Sequence, residues 1–331
     1  MKLCRWLGSL LVLAGLVSLV PNLPVFAQDK ETTLKWTAFD PDTKPYYQTM
    51  YVKTDQKMTV MGMTVNQTQE QTFYATWTPG KKDKENWVVG MKIIGAKMDI
   101  NIGGNKISYD STADNPQQNP LTDFFNALLK LDLKFTINPK MTVEKIEGNE
   151  DLIKNLGKTN PQIEPLLKSI LSADALKRMA EPPLYAFPPK QPVKKGDKWE
   201  KKDSELNLGP IGKYINDYTF EYAGKDDKKK ELDKITVKAT MKYVPPSDKG
   251  SKLPFIIESD SKLVGEQGTG TVLFNPAKGR FEDYSLSMTL KGDLNIDIGG
   301  MKTKVALTQE QTSKVTTSDT DPIAELKSKK K

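Results

Sequence analysis

Residues 99–106 read DINIGGNK, and residues 295–302 read NIDIGGMK. In each stretch a Gly-Gly pair separates two runs in which apolar and polar residues alternate, a pattern typical of a two-residue β-hairpin turn. A proline-containing turn precedes each stretch, at residues 78–81 and 275–278, and the distance from its proline to the Gly-Gly pair is 24 residues in one copy and 23 in the other. These features predict two related β-meander halves. The alternative is coincidence, since Gly-Gly hairpins occur in unrelated sheets.

Strict alternation in the flanking segments predicts antiparallel strands with one buried and one solvated face. The segment TQEQT occurs at residues 68–72 and again at 308–312, once in each half. The apolar members of the clearest alternating runs are Phe73, Ala75 and Trp77; Trp87, Val89, Met91 and Ile93; Leu131, Leu133, Phe135 and Ile137; Ile235, Val237, Ala239, Met241 and Tyr243; and Tyr284, Leu286, Met288 and Leu290.

The segment between the two β halves carries helix signals instead. Phe124, Phe125 and Leu128 fall at helical spacing on one face. The proline-rich stretch 181–192 is expected to be an extended connector. The predicted helix starts are Asn119–Pro120, Asn149, Asn160 and Ser172, with the last helix ending near Met179.

The predicted fold is therefore mainly β, a β-rich α+β protein. It is a curved antiparallel sheet or open barrel, made from the two related β-meander halves with a central helical insert. The expected segments are a signal peptide at residues 1–27, an N-terminal β half at 28–112, a helical insert with its proline-rich connector at 113–189, a C-terminal β half at 190–317 and a lysine-rich, disordered tail at 318–331.

The first 27 residues have the pattern of an export signal. Lys2 and Arg5 precede an uncharged, mostly apolar run, and Ala27 ends a stretch suited to signal peptidase. We expect cleavage after Ala27 and a periplasmic or secreted protein with no transmembrane segment in the mature chain. Cys4 lies before the apolar run, where it does not suit lipid attachment.

Composition removes several classes of chemistry. The 331 residues include 49 Lys plus Arg and 42 Asp plus Glu, for a net charge of +7, with one Cys and no His. Ser/His/Asp triads, an imidazole base, intrachain disulfides and iron–sulfur ligation are thereby excluded. The basic residues are almost all lysines mixed with acids, which disfavours base-reading contacts. We therefore predict a non-catalytic protein with no cofactor and no nucleic-acid partner.

The chain carries five longer motifs: YYQTMYVKTDQKMTVMGMTVNQTQEQTF (46–73), KMDINIGGNKISYDST (97–112), VKKGDKWEKK (193–202), LNLGPIGKY (206–214) and LFNPAKGR (273–280). The last three look like turn-and-strand elements. In these motifs the chain resembles a family of exported bacterial proteins of unknown function that is common in planctomycetes. The family implies export and a β-rich fold, and it carries no assigned activity or catalytic residues. At the level of fold alone, the chain is also similar to periplasmic lipoprotein carriers, which have an open barrel and a helical lid.

The apolar strand faces and the amphipathic helices together predict a cavity for a lipid or another apolar molecule. The alternative is a structural or interaction module of the cell envelope, whose core is filled and whose partner is a protein or a polysaccharide. The expected lining of the cavity is Phe73, Trp77, Trp87, Met91, Ile93, Tyr284, Leu286 and Met288 from the strands, with Phe124, Phe125 and Leu128 as a lid.

Three methionines form a further candidate site. Met58, Met61 and Met63 lie close together in sequence, and thioether sulfurs are soft ligands that bind Cu(I). In one continuous strand Met61 and Met63 would share a face and Met58 would lie on the other, unless Gly62 changes the phase. Packing of these methionines in the core is the alternative.

Overall fold

The computed structural model of the protein describes residues 31–114, 122–150, 168, 171–247 and 255–328. Its strands are β1 (Tyr46–Val60), β2 (Met63–Pro79), β3 (Trp87–Ile102), β4 (Asn105–Asp110), β5 (Asp132–Ile137), β6 (Val143–Glu147), β7 (Lys198–Asn207), β8 (Lys213–Lys225), β9 (Asp233–Val244), β10 (Ile256–Ile257), β11 (Lys262–Gly265), β12 (Gly268–Asn275), β13 (Arg280–Ile298) and β14 (Met301–Ser318). Its helices are α1 (Thr122–Leu128), α2 (Ala173–Leu184) and α3 (Pro322–Ser328).

All fourteen strands belong to one antiparallel sheet, in which the main order is β6-β5-β3-β2-β1-β14-β13-β11-β9-β8-β7. β4 pairs with β3, β10 with β13, and β12 with both β13 and β9. The first and last strands pair over most of their length, from Tyr47 opposite Ser318 to Val60 opposite Val305. This pairing joins the N-terminal and C-terminal strands into a single sheet. The predicted mainly β, antiparallel class is confirmed.

The two Gly-Gly pairs form hairpin turns of the same geometry. Gly103–Gly104 connect β3 to β4, and Gly299–Gly300 connect β13 to β14, all with positive φ. In each turn the N–H of the second glycine donates a hydrogen bond to a side-chain oxygen. Gly104 donates to Asn101 Oδ1 at 3.0 Å, and Gly300 donates to Asp297 Oδ1 at 2.7 Å. The predicted hairpins are confirmed, whereas the common origin of the two halves stays a prediction.

Helix α2 contacts both edge strands of the sheet. The N–H of Val143 in β6 donates to Glu181 Oε1 at 3.2 Å, and the Tyr185 hydroxyl, at the end of α2, lies 3.5 Å from Ser204 Oγ in β7. The two edges are the first and the last of the eleven strands in this order, so the sheet must curve to bring both of them to one helix. A single apolar cluster accordingly contains residues of both halves.

Several expectations are corrected or lie outside the described residues. Ser172 caps α2 as predicted, but the helix continues through Leu184, so the first part of the expected extended connector is helical. The insert also supplies β5, which its alternation predicted, and β6, which was not predicted. Pro322–Ser328 form α3 within the tail expected to be disordered, because Asp321 caps its start and Ile323 packs beside Gly95. The signal peptide, the helix starts at Asn119–Pro120 and Asn160, and most of the helix expected from Asn149 lie outside the described residues.

Candidate functional site

The eleven side chains predicted to line a cavity all belong to one apolar cluster, on the side of the sheet against which α1 packs. We call this side the helix-bearing face; the rings of Phe73 in β2 and Phe125 in α1 lie 6.2 Å apart on it. Six of the eleven are buried, namely Trp87, Ile93, Phe125, Leu128, Tyr284 and Leu286. Five keep partial exposure, namely Phe73, Trp77, Met91, Phe124 and Met288. Their shared location is established, and their role in ligand binding stays a prediction.

An N-terminal segment fills part of this face. Leu34, Trp36 and Phe39 are buried in the same cluster, and the ring of Trp36 lies 5.0 Å from that of Phe281. Trp77 and Trp87 are also engaged, because their indole N–H groups donate to Gln48 at 2.7 Å and Asp40 at 2.9 Å. The sequence pattern did not place residues 34–39 in the core, since this segment contains no regular strand or helix.

The family-like motifs hold this filled region together. In LFNPAKGR, the Gly279 carbonyl accepts a hydrogen bond from the Thr37 N–H at 3.0 Å, and the guanidinium of Arg280 lies 5.1 Å from the centre of the Tyr46 ring. In VKKGDKWEKK, the Trp199 indole N–H donates to the Tyr185 carbonyl at 2.9 Å. The predicted turn-and-strand character of these segments is confirmed, and their contacts are structural.

Farther along the same face, three adjacent strands carry a band of uncharged polar side chains. The residues Val52, Thr54 and Gln56 of β1 lie opposite Gln71, Gln69 and Gln67 of β2, and opposite Ser313, Gln311 and Gln309 of β14. Because side chains alternate between faces, Gln71 lies on the same face as Phe73. We call Thr54, Gln56, Gln67, Gln69, Gln71, Gln309, Gln311 and Ser313 the glutamine band.

The glutamine band lies between two apolar regions of the helix-bearing face. On one side are Phe73 and Met288, and Met288 lies directly opposite Gln311 of the band. On the other side is a second apolar cluster, formed by Tyr243, Leu263, Leu290 and Leu307, with Met58 packed against it. Most of the band is partly covered, while the alternate residues of β2, such as Glu70, are exposed on the opposite face.

No residue of the glutamine band carries a charge. Its side chains carry amide and hydroxyl groups, which both donate and accept hydrogen bonds. The charged residues of the same strands, including Lys53 and Asp55 with 3.3 Å between their charged atoms, lie on the opposite face. Burial raises the pKa of Tyr218 to about 12 and also raises that of Tyr284, so both phenols stay protonated at neutral pH.

The sequence contained a signal for this band. The two TQEQT segments lie in β2 and β14, the two strands that flank β1, and each places alternate glutamines on the helix-bearing face. At the level of sequence these segments served only as evidence for a repeat. Their meeting on one face depends on the pairing of β1 with β14, which links residues 245 to 271 positions apart.

The three methionines of the copper hypothesis are placed differently from expectation. The chain reverses at Met61–Gly62, so Met58 and Met63 lie in paired strands and share one face. Met58 packs against the second apolar cluster, while Met61 and Met63 are exposed by 73% and 68%. Copper binding stays a prediction. Among the described residues, no group of three or more Cys, Asp or Glu is placed to hold a metal ion.

A separate cavity of about 520 Å³ lies beside β10 and the end of the β13–β14 hairpin. All seven of its lining residues are polar or charged, and Lys302 Nζ lies 3.5 Å from Glu258 Oε1. It therefore does not suit an apolar ligand. Its lining consists of Glu258, Ser259, Asp260, Asn295, Lys302, Thr303 and Lys304.

Comparison with known proteins identifies a family but no activity. Residues 84–321 match the model of a family of unknown function, DUF6263. None of the curated proteins matches the sequence. Among the described parts of the chain, no helix is long and apolar enough to cross a membrane.

Solved structures show only weak likeness. One is lipovitellin ("Lipid-protein interactions in lipovitellin"), with a TM-score of 0.45 and 9% identity over 85% of this chain and 26% of that chain. DynF from the dynemicin biosynthesis pathway of Micromonospora chersina has a TM-score of 0.18 and 7% identity, over 87% and 86% of the two chains. OccK5 (OpdH) of Pseudomonas aeruginosa has a TM-score of 0.20 and 6% identity, over 83% and 98%. This chain thus spans about a quarter of the lipovitellin chain, and likenesses this weak carry no argument about function.

Proposed function

We propose that this chain, which belongs to the DUF6263 family of unknown function, is an exported, non-catalytic protein. In this proposal it binds an amphipathic, lipid-like molecule on the helix-bearing face. Export rests on the pattern of residues 1–27, and it stays a prediction, as does a planctomycete source. The observation that carries the proposal is a border on one sheet face, where partly exposed apolar side chains meet uncharged amides. Phe73 adjoins Gln71 along β2, and Met288 lies opposite Gln311 across the β13–β14 pair.

Such a border suits a molecule with an apolar tail and an uncharged polar group. The tail would lie against Phe73 and Met288, with a gain of about 0.8 kcal/mol for each methylene removed from water. Ester, hydroxyl or amide groups of the ligand would bond to the glutamines, whose amides supply both donors and acceptors. A bare ionic group would lack a charge partner in the band and would lose its hydration there.

Native mass spectrometry with lipid extraction, on protein purified from an exporting host, is the first experiment. We expect a co-purifying lipid or apolar metabolite at near-stoichiometric level. Titration with monoolein, an uncharged lipid, then measures affinity in two matched variants. Gln69→Glu adds a negative charge to the band, whereas Thr68→Glu adds the same charge to the opposite face of the same strand.

We expect Gln69→Glu to weaken monoolein binding at least tenfold, because the new carboxylate must be desolvated beneath the ligand. Thr68→Glu should change it less than twofold. An apo mass together with no monoolein binding would refute the proposal. Equal effects of the two substitutions would show that the band is not the binding surface.

The second candidate is an envelope interaction module with a filled core. The packing of residues 34–39 against the helix-bearing face favours it, because this segment occupies space that a larger cargo would need. In that case the glutamine band would bind the hydroxyl groups of a polysaccharide or the surface of an envelope protein. Binding of a soluble glycan that Gln69→Glu abolishes, without any lipid binding, would select this candidate.

A further inference from the structure

Six of the eight large, exposed apolar side chains in the described part of the chain lie at the ends of three neighbouring hairpins. We call these ends the apolar tips. Scattered single apolar residues are normal on protein surfaces, but a concentration at one end of a sheet marks a contact surface. The six are Met61 and Met63 beside the β1–β2 turn, Ile102 and Ile107 beside the β3–β4 turn, and Ile298 and Met301 beside the β13–β14 turn.

The apolar tips lie on the same side of the sheet as the glutamine band. Met63 is ten residues from Phe73 along β2, and an even separation keeps a side chain on the same face. By the same count Ile298 shares the face of Leu286 in β13, and Met301 lies opposite Ile298. The apolar tips therefore form the rim of the helix-bearing face.

The strand register places the three apolar tips in a regular staircase. Ile102 at the end of β3 lies opposite Gln67, so the β1–β2 hairpin extends four residues further, to Met63. Val305 lies level with the end of β1, so the β13–β14 hairpin extends four residues further again, to Met301. Each step is about 13 Å along the strands, and neighbouring hairpins are about 10 Å apart across the sheet.

Because the two steps are equal, the register places the three apolar tips along one line as measured on the surface of the sheet. One flat surface can touch all of them if the strands lean about 50° from its normal, by the same spacings. Neighbouring apolar tips are then about 16 Å apart. The interface of a bilayer accepts exposed apolar side chains, and binding there scales with the buried apolar area and with attraction to anionic lipids.

The charges at the apolar tips are suited to anionic headgroups. Residues 57–66, 99–108 and 295–304 contain four lysines and two aspartates. Both aspartates already accept a hydrogen bond at 2.7 Å, from a serine hydroxyl in one case and a glycine N–H in the other. Two of the lysines pair with acids, but their side chains are 75% and 65% exposed and can reach a phosphate. The lysines are Lys57, Lys106, Lys302 and Lys304.

From these observations we propose that the apolar tips bind the surface of a bilayer that contains anionic lipids. The apolar side chains enter the headgroup region from the helix-bearing face, and the four lysines, which lie on the opposite face of the same hairpins, reach lipid phosphates beside them. This inference goes beyond the proposed ligand function and does not depend on it. If both hold, contact with a bilayer places the open rim of the helix-bearing face directly on its lipid.

Vesicle co-flotation of the secreted protein tests the proposal. The vesicles are phosphatidylcholine alone, or phosphatidylcholine with about 30% phosphatidylglycerol to supply negative surface charge. A triple variant replaces one apolar residue at each tip by threonine (Met63→Thr, Ile102→Thr, Met301→Thr), which removes apolar surface but suits a strand. The matched control is Val264→Thr, since Val264 is 65% exposed in β11, outside the apolar tips.

We expect binding to the anionic vesicles, at least a tenfold loss in the triple variant and less than a twofold change in the control. Met61→Cys, labelled with an environment-sensitive fluorophore, should show a blue shift on anionic vesicles, because the predicted mature chain contains no other cysteine. Failure of the parent protein to float, or equal flotation of the parent and the triple variant, would overturn the proposal. Equal binding to neutral vesicles would overturn the role given to the lysines. A parent protein that floats with anionic vesicles but does not bind monoolein would contradict the ligand proposal and leave the bilayer proposal standing.

Discussion

Replacing Glu181 by glutamine tests whether α2 holds the two edges of the curved sheet together. Glu181 is fully buried, and its carboxylate accepts hydrogen bonds from the Val143 N–H at 3.2 Å and the Tyr185 hydroxyl at 2.5 Å. The Arg178 guanidinium lies 3.3 Å away. Burial, together with the hydrogen bond to Glu181, raises the pKa of Tyr185, so the phenol remains a donor. One carboxylate thus links α2 to β6 directly and to β7 through Tyr185 and Ser204.

The expected loss of unfolding free energy in Glu181→Gln is about 3 kcal/mol. Glutamine keeps one carbonyl oxygen, which can still accept from Val143, so the backbone bond survives. The bond from Val143 becomes neutral and the bond from Tyr185 is lost, which costs about 1 kcal/mol of stability each. The new amide N–H₂ group is buried against other donors, which costs about 1 kcal/mol more. Arg178 contributes little, because its side chain is 32% exposed and screened by water.

Urea unfolding gives the stability change, and hydrogen exchange shows where it acts. The amides of β6 and β7 should exchange faster in Glu181→Gln, because their shared contact with α2 is weakened. Glu147→Gln, at an exposed carboxylate of β6 that pairs with Lys145 at 2.7 Å, is the matched control and should cost less than about 0.5 kcal/mol. If Glu181→Gln does not fold, Tyr185→Phe should still show about 1.5 kcal/mol. Similar small losses in the two glutamine variants, with unchanged exchange at both edges, would refute the bridging role of α2.

Three further outcomes follow from individual contacts. A hydrogen bond from Lys278 lowers the pKa of Asp319. The Asp319 carboxylate therefore stabilises the fold above about pH 4, and this stabilisation is lost as the pH falls through its folded pKa. Asp319→Asn should flatten the acid unfolding curve measured by circular dichroism. Burial raises the pKa of Tyr218 from 10.0 to about 12, so its contribution to stability should be intact below pH 10 and fall as the pH approaches 12. The part of the tyrosinate absorbance that Tyr218→Phe removes should appear only as near-ultraviolet dichroism disappears. Gly270→Ala should cost at least about 3 kcal/mol in urea unfolding, because the new Cβ would lie 2.0 Å from the Ser285 carbonyl oxygen; a cost below about 1 kcal/mol would contradict this packing.

Alternation in the sequence predicted most individual strands and the faces of their side chains. The runs that begin at Phe73, Trp87, Leu131, Ile235 and Tyr284 lie in strands, except for Leu131 itself, which immediately precedes β5. Burial of an apolar residue at every second position suits an extended chain. β6 escaped prediction because its five residues, VEKIE, do not alternate. The pairing of β1 with β14 was also missed, since β1 reads YYQTMYVKTDQKMTV and mixes polar and apolar residues on the same face.

The candidate site could be predicted only in part, for the same reason. Alternation fixes which face of a strand a residue occupies, and all eleven predicted lining residues indeed share one cluster. It does not tell which strands are neighbours, so glutamines in β2 and β14 could not be seen to meet across β1. Nor does it detect a buried segment without regular structure, such as residues 34–39.

The register of the central strands gives a reason to treat the glutamine band as functional. Within the band both faces are polar, so a slipped pairing there would bury no polar group and expose no apolar one. Apolar pairs on either side hold the alignment of β1 with β14, Met50 opposite Val315 at one end and Met58 opposite Leu307 at the other. The fold therefore requires the apolar flanks but not glutamine between them, where threonine or valine would suit a pleated strand better. The glutamines recur on the same face of β2 and β14 although folding does not require them. We therefore expect them to have a role in binding.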